Sequence, residues 1–461
     1  MNIDILNNQI SGKKVLILGF GKEGKTTYSI LRKHFANQLF TIADKDEFFI
    51  QKNSFLENDN VDFILGDKYL NEISNFDLII KTPGISLKNL DSNLVYSLNI
   101  SSQTDLFLKL YSDQVIGITG TKGKSTTTSL IYHIIKSFTE NVILVGNIGI
   151  PPFELIDSIN NKTIIVYEMS SHQLENISVS PHISILLNLY QEHLDHYQSY
   201  KDYQLAKFNI AKYQNENDFF IFNTDNQEIN KLVNEIDLTA NQITFSLETE
   251  QKNGMHLANK TLWLTENNIK TAIYNIDYER FLKGKHNLLN IMAAICACKL
   301  KNIPDSIILY GIASFKGLEH RIEYIGEFKN VVFYNDSIST IPEATIAAVN
   351  ALENVDTLIL GGYDRGIDYS SLADFLIESE IRNFIFVGKA GERIFNEIKN
   401  LGCFDKAFYE SDSYEEVVNI SFQVTQKGKI CLLSPAASSY DMFKNFEERG
   451  SKFKKLIRKH I

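Results

Sequence analysis

The sequence predicts an α/β protein of about three domains, each built on a parallel sheet. The first observation is the length of 461 residues, which suffices for about three domains that each bury a core. The second is that short apolar runs alternate with amphipathic stretches, as in βαβ units. The third is that the apolar runs form three series, which begin at Lys14, Val115 and Val331. The domains that we expect from these series are 1–102, 103–316 and 317–461.

Composition and charge restrict the class of protein further. A content of 44% hydrophobic and 22% charged residues is that of an ordinary globular protein in water. The net charge of −10 argues against a nucleic-acid binder. We expect no membrane insertion, because no apolar run approaches ~20 residues and Met1–Ile10 lacks the layout of a signal peptide. The cysteines form no CxxC pair and are expected to be reduced thiols of a cytoplasmic protein: Cys296, Cys298, Cys403 and Cys431.

The first predicted strand, Lys14–Leu18, ends in a glycine-rich loop that spans Gly19–Gly24. Its glycines allow a tight turn and a close approach to a diphosphate. Asp44 ends the next strand, where a carboxylate can bind a ribose hydroxyl. A second loop, Lys81–Ser86, adds a rigid turn at the same edge of the sheet. The pattern is typical of the NAD site of an oxidoreductase. The same geometry serves a site for any other nucleotide that carries a diphosphate.

The segment Gly117–Thr128 is typical of a loop that binds nucleotide phosphates. Gly120 and Gly123 allow successive backbone N–H groups to point at one anion, and Lys124 supplies a positive charge. The hydroxyl of Ser125 can hold Mg²⁺. An apolar strand pattern precedes the loop and a helical pattern follows it, so a helix N-terminus adds its dipole to the site. A Gly/Thr turn without a ligand is the structural alternative.

Three further residues follow strands or lie on the next predicted helix. Glu168 follows the apolar run Thr163–Tyr167, where a carboxylate is well placed to hold Mg²⁺. His193 follows a second run, Ile183–Asn188, although a histidine there could equally be a surface residue. Lys207, taken alone, is typical of a solvated helix charge. Together with the phosphate loop, the three residues favour a two-metal phosphate site.

The remaining polar motifs are weaker when each is taken alone. Asn287 and Asn290 begin an apolar helix, where asparagine also serves as a helix cap. Loops rich in glycine, serine and aspartate follow apolar runs in the third predicted domain. These loops and neighbouring motifs are 320–321, 335–340, 361–366, 434–439 and 443–449.

Taken in order, these motifs resemble the Mur ligases of peptidoglycan synthesis, and within them the branch that adds glutamate. The resemblance runs through all three domains. Its most specific motifs are 120–125, 168–171, 193–195, 335–337, 434–436 and 443–450. It implies a Rossmann-like first domain that binds a UDP sugar and a central P-loop ATPase domain with a parallel sheet. It also implies a Rossmann-like C-terminal α/β domain that binds the incoming amino acid.

The resemblance implies a role for each motif residue. The residues implied to bind the UDP sugar are Gly19, Phe20, Gly21, Lys22, Asp44, Thr82, Pro83, Gly84, Asn147, Ser170 and Ser171. Those implied to bind ATP are Gly120, Thr121, Lys122, Gly123, Lys124, Ser125, Thr126, Asn287, Asn290, Arg321 and Asp336. Those implied to surround glutamate are Thr340, Arg365, Ser439 and Phe446. The implied catalytic residues are Lys124, Glu168, His193 and Lys207, and the implied metal ligands are Ser125, Glu168, His193 and, once carbamylated, Lys207.

The implied reaction forms an amide bond in two steps. The alanine carboxylate of UDP-N-acetylmuramoyl-L-alanine attacks the γ-phosphate of ATP, which gives an acyl phosphate and ADP. The amine of glutamate then attacks the acyl carbon, and phosphate leaves. ATP and two Mg²⁺ ions are the implied cofactors. The resemblance implies a cytoplasmic monomer whose partners are these small molecules.

Three residues depart from the pattern of the family. Lys122 replaces an asparagine, Ile338 stands where D-glutamate ligases carry a lysine, and Arg365 occupies the place of another lysine. The last two bear on the glutamate pocket, because arginine binds a carboxylate as a planar fork. D-glutamate is our default substrate and L-glutamate is the alternative, since loop differences of this size can reverse a stereochemical preference.

Other functions are weighed against this resemblance. An NAD-dependent oxidoreductase is the remote alternative, and it leaves the Gly-Lys-Ser sequence at residues 123–125 unexplained. The motif at 443–449 argues against folylpolyglutamate synthase, another ligase of the superfamily. The intact set of Lys124, Glu168, His193 and Lys207 argues against a catalytically silent nucleotide-binding scaffold.

Overall fold

The computed structural model describes residues 3–56, 59–148, 150–193, 196–402 and 406–460. Cys403 lies outside the described residues, as do Leu194 and Asp195 of the motif that begins at His193. The chain forms two compact units. The first comprises Met1–Glu279 and His286–Ile312, and the second comprises Arg280–Lys285 and Ala313–Ile461.

The first part of the first unit is a parallel sheet. Its strands in the described residues are β1 Val15–Leu18, β2 Phe40–Asp44, β3 Val61–Leu65, β4 Leu78–Lys81 and β5 Ile100–Ser101. The helices of this part are α1 Ile3–Ile10, α2 Lys22–His34, α3 Phe49–Lys52 and α4 Ser92–Ser97, with short 3-10 helices at Ser54–Leu56 and Ile73–Asn75. The strand order is β3-β2-β1-β4-β5. The order therefore reverses between β1 and β4, which is the switch point where such sheets bind ligands.

The second part of the first unit is a larger sheet whose order is β14-β13-β12-β11-β10-β9-β6-β8-β7. Its strands, as far as the structure describes them, are β6 Val115–Thr119, β7 Val142–Gly146, β8 Ile164–Glu168, β9 Ile183–Leu186, β10 Phe219–Asn223, β11 Asn241–Ser246, β12 Gly254–Ala258, β13 Thr261–Glu266 and β14 Ile269–Asn275. Pairing is parallel from β7 across to β12 and antiparallel for β13 and β14. Strand β6 is buried along its whole length, since it is central and covered on both faces.

Helices and short 3-10 helices precede, connect and follow the strands of this sheet. They are α5 Gln103–Tyr111, α6 Lys124–Lys136, α7 Ser171–Leu174, α8 Tyr200–Lys212, α9 Gln227–Glu235, α10 Lys285–Leu300 and α11 Asp305–Ser314, with 3-10 helices at Ser112–Gln114 and Pro152–Ser158. Helix α10 is buried along most of its length, which explains the apolar composition that surrounds Asn290.

The second unit contains a sheet in the order β15-β16-β20-β17-β18-β19. Its described strands are β15 Glu323–Phe328, β16 Val331–Asn335, β17 Val355–Gly361, β18 Asn383–Val387, β19 Ala407–Glu410 and β20 Ile430–Leu433. Its helices are α12 Pro342–Ala351, α13 Ser370–Glu378, α14 Gly388–Asn400, α15 Tyr414–Val424 and α16 Phe446–Arg458. Among the described strands of this sheet, only the edge strand β15 pairs antiparallel, so this sheet too is essentially parallel.

The predicted α/β class is confirmed, because helices alternate with largely parallel strands in both units. One described sheet falls within each predicted domain range. The division at residues 102 and 316 stays a prediction, since the first two ranges belong mostly to one compact unit.

The described cysteines fit the expected reduced thiols. Cys296, Cys298 and Cys431 are free and buried. In the part of the chain that the structure describes, no helix combines the length and the apolar character needed to cross a bilayer.

Candidate active site

The phosphate-loop segment lies between β6 and α6, as the sequence predicts. The backbone φ is 151° at Gly120 and 85° at Gly123, values that residues other than glycine rarely adopt. A Cβ atom added to Gly123 would lie only 2.5 Å from Oδ1 of Asn290. Asn290 in turn donates from Nδ2 to Oδ1 of Asn287 at 3.1 Å. The structure therefore brings both predicted ATP-binding asparagines of α10 to this loop.

Two lysines bind the same carbonyl of the loop. Lys124 Nζ donates to the Gly120 carbonyl at 2.9 Å and to the Thr121 carbonyl at 3.0 Å. Lys207 Nζ, from α8, donates to the Gly120 carbonyl at 2.9 Å and lies 5.0 Å from the centre of the Tyr203 ring. Lys207 is only 2% exposed, so the interpretation of this residue as a solvated helix charge is wrong. Burial, together with the charge of Lys124, holds the pKa of Lys207 well below its ordinary value.

Residues that follow β9 hold the phosphate loop in its conformation. Asn188 exchanges two hydrogen bonds with the backbone of Lys122, at 2.8 Å and 3.0 Å. The hydroxyls of Thr121 and Tyr203 lie 2.8 Å apart. The ammonium of Lys122 is exposed and pairs with Glu192. The extra charge that distinguishes this loop is therefore balanced by a neighbouring carboxylate.

Glu168 ends β8 beside the phosphate loop, since Ile118 of β6 pairs with it in register. The residue is wholly buried. Its Oε1 accepts a hydrogen bond from Asn147 Nδ2 at 3.0 Å, and its Oε2 has no hydrogen-bond partner among the described residues. A buried carboxylate oxygen without a donor suits a cation, because the charge must otherwise stay uncompensated. Asn147, implied by the resemblance to lie near the UDP diphosphate, here orients the predicted metal ligand.

His193 lies in a group of aromatic side chains that the sequence did not predict. Its ring centre is 4.9 Å from that of His172, and the His172 ring is 4.1 Å from the His196 ring. Burial, with the two neighbouring imidazoles, lowers the pKa of His172 to about 4. The His193 side chain is 46% exposed, which leaves it accessible from solvent. The signal available in the sequence was the histidine within 168–175 and the second histidine at position 196.

The two loops of the first sheet meet at its switch point. Phe20 N donates to Oδ2 of Asp44 at 2.8 Å, and the Thr82 hydroxyl donates to the Leu18 carbonyl at 3.1 Å. A Cβ atom on Gly19 would lie 2.2 Å from the Thr82 hydroxyl oxygen, so glycine is required there. The structure thus brings together the glycine loop, Asp44 and the Thr82 loop, as predicted for a nucleotide site.

The serines implied for the UDP sugar begin α7. Ser170 and Gln173 form a capping box, with reciprocal hydrogen bonds of 3.2 Å and 3.0 Å. Ser171 is buried. The capping box gives Ser170 and Gln173 a structural role that needs no ligand. It starts α7 two residues after Glu168.

Asp336 anchors the motif loop that follows β16 in the second unit. It is buried, and its carboxylate accepts from Ile322 N at 3.1 Å and from the Ser434 hydroxyl at 2.7 Å. Burial raises the pKa of Asp336 to about 6. Asp336 therefore ties the chain beside Arg321 to the motif at residues 434–436, a structural role in addition to the predicted nucleotide contact.

The residues predicted to surround glutamate partly converge. Arg365 Nη2 donates to the Thr340 carbonyl at 2.9 Å, so these two lie together. Ser439 is buried, and the ring of Phe446 lies 6.2 Å from that of His320. A pocket common to all four residues stays a prediction.

Arg449 is a buried residue of this motif region that the sequence did not single out as a site. It is 1% exposed, and it donates to the Ser337 hydroxyl at 2.9 Å and to the Ser337 carbonyl at 2.8 Å. Arg449 thereby joins the motif at 443–450 to the motif at 335–337. The signal for this contact was the arginine within the first of these motifs.

A glycine-rich loop between a strand and a helix, with a buried lysine and a buried carboxylate beside it, is typical of a nucleotide-phosphate site on an α/β fold. Comparison with known proteins extends this result. The family described as the Mur ligase middle domain matches residues 118–298. The chain is 34% identical over 463 residues to the UDP-N-acetylmuramoylalanine–D-glutamate ligase of Clostridium botulinum (strain Kyoto / Type A2), with 99% of each chain covered. It is 35% identical over 458 residues to the protein of the same name from Clostridium tetani, with 97% of each covered.

The chain therefore belongs to the Mur ligase family, and the predicted resemblance is confirmed. Among solved structures, the MurF ligase of Thermotoga maritima in complex with ADP aligns with a TM-score of 0.55. That alignment has 17% sequence identity and covers 99% of this chain and 97% of the other. At this level of identity the likeness confirms the fold.

Proposed function

We propose that the protein joins D-glutamate to UDP-N-acetylmuramoyl-L-alanine at the expense of ATP, in the synthesis of peptidoglycan precursors. The observation that carries the proposal is the phosphate loop at which Lys124 and Lys207 share the Gly120 carbonyl beside the buried Glu168. The names of the full-length relatives support the ligase and favour D-glutamate over the L-glutamate alternative. They give no support to the NAD-dependent oxidoreductase.

The chemical problem is to bring two anions together, the substrate carboxylate and the γ-phosphate of ATP. Lys124 offsets their repulsion and the charge that develops on the transferred phosphoryl group. The carboxylate oxygen forms a bond to phosphorus as the bond to ADP breaks, which gives the acyl phosphate. The neutral amine of glutamate then forms the amide bond and loses one proton, and inorganic phosphate leaves with the electron pair of the acyl–oxygen bond.

The residues at the loop fit the Mg²⁺ ions that the family implies. Glu168 Oε2 is buried without a donor, and the Ser125 hydroxyl lies at the start of α6. We propose that Ser125 and Glu168 hold one ion and that His193 and carbamylated Lys207 contribute to the second. Such ions would neutralise phosphate charge and polarise the transferred phosphoryl group.

Carbamylation of Lys207 is supported by its environment. The reaction needs a neutral amine, which adds to carbon dioxide with formation of an N–C bond and release of one proton. Burial and the charge of Lys124 favour the neutral amine, because both disfavour an ammonium at this position. The product would replace a cation by an oxygen ligand beside the phosphate loop.

The substrates are assigned to sites by the same reasoning. We propose that the loops at Gly19 and Thr82 hold the UDP group, and that Asn287 and Asn290 contact ATP from the side of Gly123. In the second unit, Arg365 beside Thr340 would bind a glutamate carboxylate as a planar fork. Arg321, Asp336, Ser439 and Phe446 keep the roles that the resemblance implies, and a cytoplasmic monomer stays a prediction.

A direct assay tests the proposal. The protein is incubated with UDP-N-acetylmuramoyl-L-alanine, Mg-ATP and either D- or L-glutamate, and phosphate release is measured together with the mass of the product. We expect release with D-glutamate. Release with L-glutamate alone would favour the L-glutamate alternative, and no release with either enantiomer would exclude the ligase.

A further inference from the structure

The segment Ser170–Glu175, here called the bridging segment, begins two residues after Glu168 and contacts residues from both loops of the first sheet. Gln173 Nε2 donates to Glu23 Oε1 at 2.7 Å. Glu23 lies in the first turn of α2, which begins in the glycine loop. Gln173 thus joins the bridging segment to the glycine loop across a sequence separation of 150 residues.

Glu175, the last residue of the bridging segment, is joined to the second loop through Lys81. Lys81 ends β4, and its side chain is 2% exposed. Its Nζ lies 3.0 Å from Glu175 Oε2 and donates to the Ile85 carbonyl at 2.8 Å. A buried ammonium is costly unless it is paired and hydrogen-bonded. Loss of either contact would therefore destabilise the folded chain. One side chain therefore fixes the far end of the Thr82–Ile85 loop and the end of the bridging segment.

A second contact closes the same loop. The Ser86 hydroxyl donates to the His196 carbonyl at 2.9 Å, and His196 Nε2 lies 3.5 Å from Glu175 Oε2. Glu175 thus lies between Lys81 and His196. The loop that follows β4 is attached at both ends to residues of the larger sheet.

We propose that Lys81, paired with Glu175, is a positioning residue that holds the Thr82–Ile85 loop in the conformation that binds the UDP sugar. The same pair ties this loop to the bridging segment, which follows Glu168 of the phosphate site in the chain. The inference rests on the proposed function, because that function makes the UDP sugar the ligand of the loop.

The test compares Lys81→Met, Glu175→Gln and the double variant with the wild type. The dissociation constant of UDP-N-acetylmuramoyl-L-alanine is measured by calorimetry, and KM is measured for each substrate. We expect Lys81→Met to weaken binding of the UDP sugar about tenfold or more, because Glu175 is left uncompensated. KM for ATP should stay within about twofold, and the double variant should recover part of the loss, since the two changes are coupled.

The matched control is Lys33→Met. Lys33 pairs with Asp157 at 2.8 Å and also joins the two sheets of the first unit, but the two side chains are 52% and 75% exposed. An exposed pair contributes little, so this variant should bind the UDP sugar within about twofold of the wild type.

Three results would overturn the inference. They are wild-type affinity in Lys81→Met, an equal rise in KM for all substrates, and a double variant as weak as the sum of the single changes. If Lys81→Met fails to fold, Glu175→Gln and Lys81→Arg decide the same question, with Lys81→Arg expected to bind more tightly than Glu175→Gln. If the wild type itself does not bind the UDP sugar, the proposed function fails first, which the calorimetry shows separately.

Discussion

Lys207 and Lys124 meet at one carbonyl oxygen, that of Gly120. Two ammonium groups at one acceptor repel each other, and the burial of Lys207 removes the water that would stabilise its charge. Both effects favour the neutral amine of Lys207 over the ammonium. A positively charged Lys207 would instead be an unexplained cost in the centre of the candidate site.

Replacement of Lys207 by alanine tests this role. We expect kcat to fall by about 100-fold or more, because the variant lacks the proposed carboxylate ligand at the phosphate site. Added acetate or formate should restore part of the rate, which steady-state phosphate release can measure. The control is Lys201→Ala on the same helix, where the side chain is 48% exposed and pairs with Glu235. Full activity in Lys207→Ala would remove carbamylation from the mechanism.

Asp336 predicts a pH dependence of stability. Its pKa is raised by burial from 3.8 to about 6 in the folded protein, so the native state binds this proton more tightly than the unfolded chain does. The resulting stabilisation is fully present below about pH 4 and is lost as the pH rises through about 6.

Asp336→Asn should remove this loss. The difference in unfolding free energy between variant and wild type should therefore change by about 3 kcal/mol between pH 4 and pH 7, in favour of the variant at the higher pH. Urea unfolding at several pH values measures it. The exposed Asp374→Asn on α13 serves as the control, and an identical pH profile in Asp336→Asn would contradict the assignment.

At the scale of elements, the turn from β6 into α6 sets the geometry of the phosphate site. Gly123 is the N-cap of α6 in a left-handed conformation, and Asn290 of α10 fills the space beside it. The loop is thus shaped by its own backbone and by a helix more than 160 residues later in the chain. This arrangement leaves no room for a side chain at Gly123.

Gly123→Ala separates crowding from backbone strain. The added Cβ would lie 2.5 Å from Asn290 Oδ1 at a φ of 85°, so we expect lower stability and a KM for ATP raised about tenfold or more. Gly12→Ala is the matched control, because Gly12 has a φ of 73° and nothing within 4 Å of the added atom. That variant should cost about 1 kcal/mol of stability and leave KM for ATP unchanged. Equal KM values for both variants would contradict the crowding argument.

The elements themselves were largely predictable from the sequence. Buried parallel strands are continuous apolar runs, which is why β1 was located within a residue of its bounds and the start of β6 was located at Val115. Polar residues after such strands meet at one edge of a sheet, so the proximity of Glu168 to the phosphate loop followed from the strand pattern.

The contacts between distant segments were not predictable in the same way. The pairing of Lys81 with Glu175 depends on how loops of two different sheets are placed, and the edge-on contact of His172 with His196 depends on how two loops of the larger sheet are placed. A single sequence carries no periodic signal for such contacts. Lys207 shows the same limit, since its helical position alone suggested exposure and only the fold shows that it is buried.

At the scale of the molecule, the first unit combines the predicted UDP-binding loops and the phosphate loop in one compact body. A ligand that binds only the folded state stabilises that unit by mass action. UDP-N-acetylmuramoyl-L-alanine at 100 times its dissociation constant should therefore raise the unfolding free energy of this unit by about 2.7 kcal/mol. Denaturant titration with and without the ligand measures the change. NADH is the control, and stabilisation by NADH without any by the UDP sugar would favour the oxidoreductase.

The buried cysteines allow the rate at which each unit opens to be measured separately. Cys296 and Cys298 lie in the first unit and Cys431 in the second, and burial raises the pKa of each thiol, for Cys431 to about 12. A thiol reagent reacts with the thiolate, so these sites should resist alkylation until their own unit unfolds. In a protein with Cys403 replaced by serine, mass spectrometry of alkylated peptides would give separate opening rates for the two units. Slower alkylation of Cys296 and Cys298, or of Cys431, upon addition of a substrate would then identify the unit which that substrate binds.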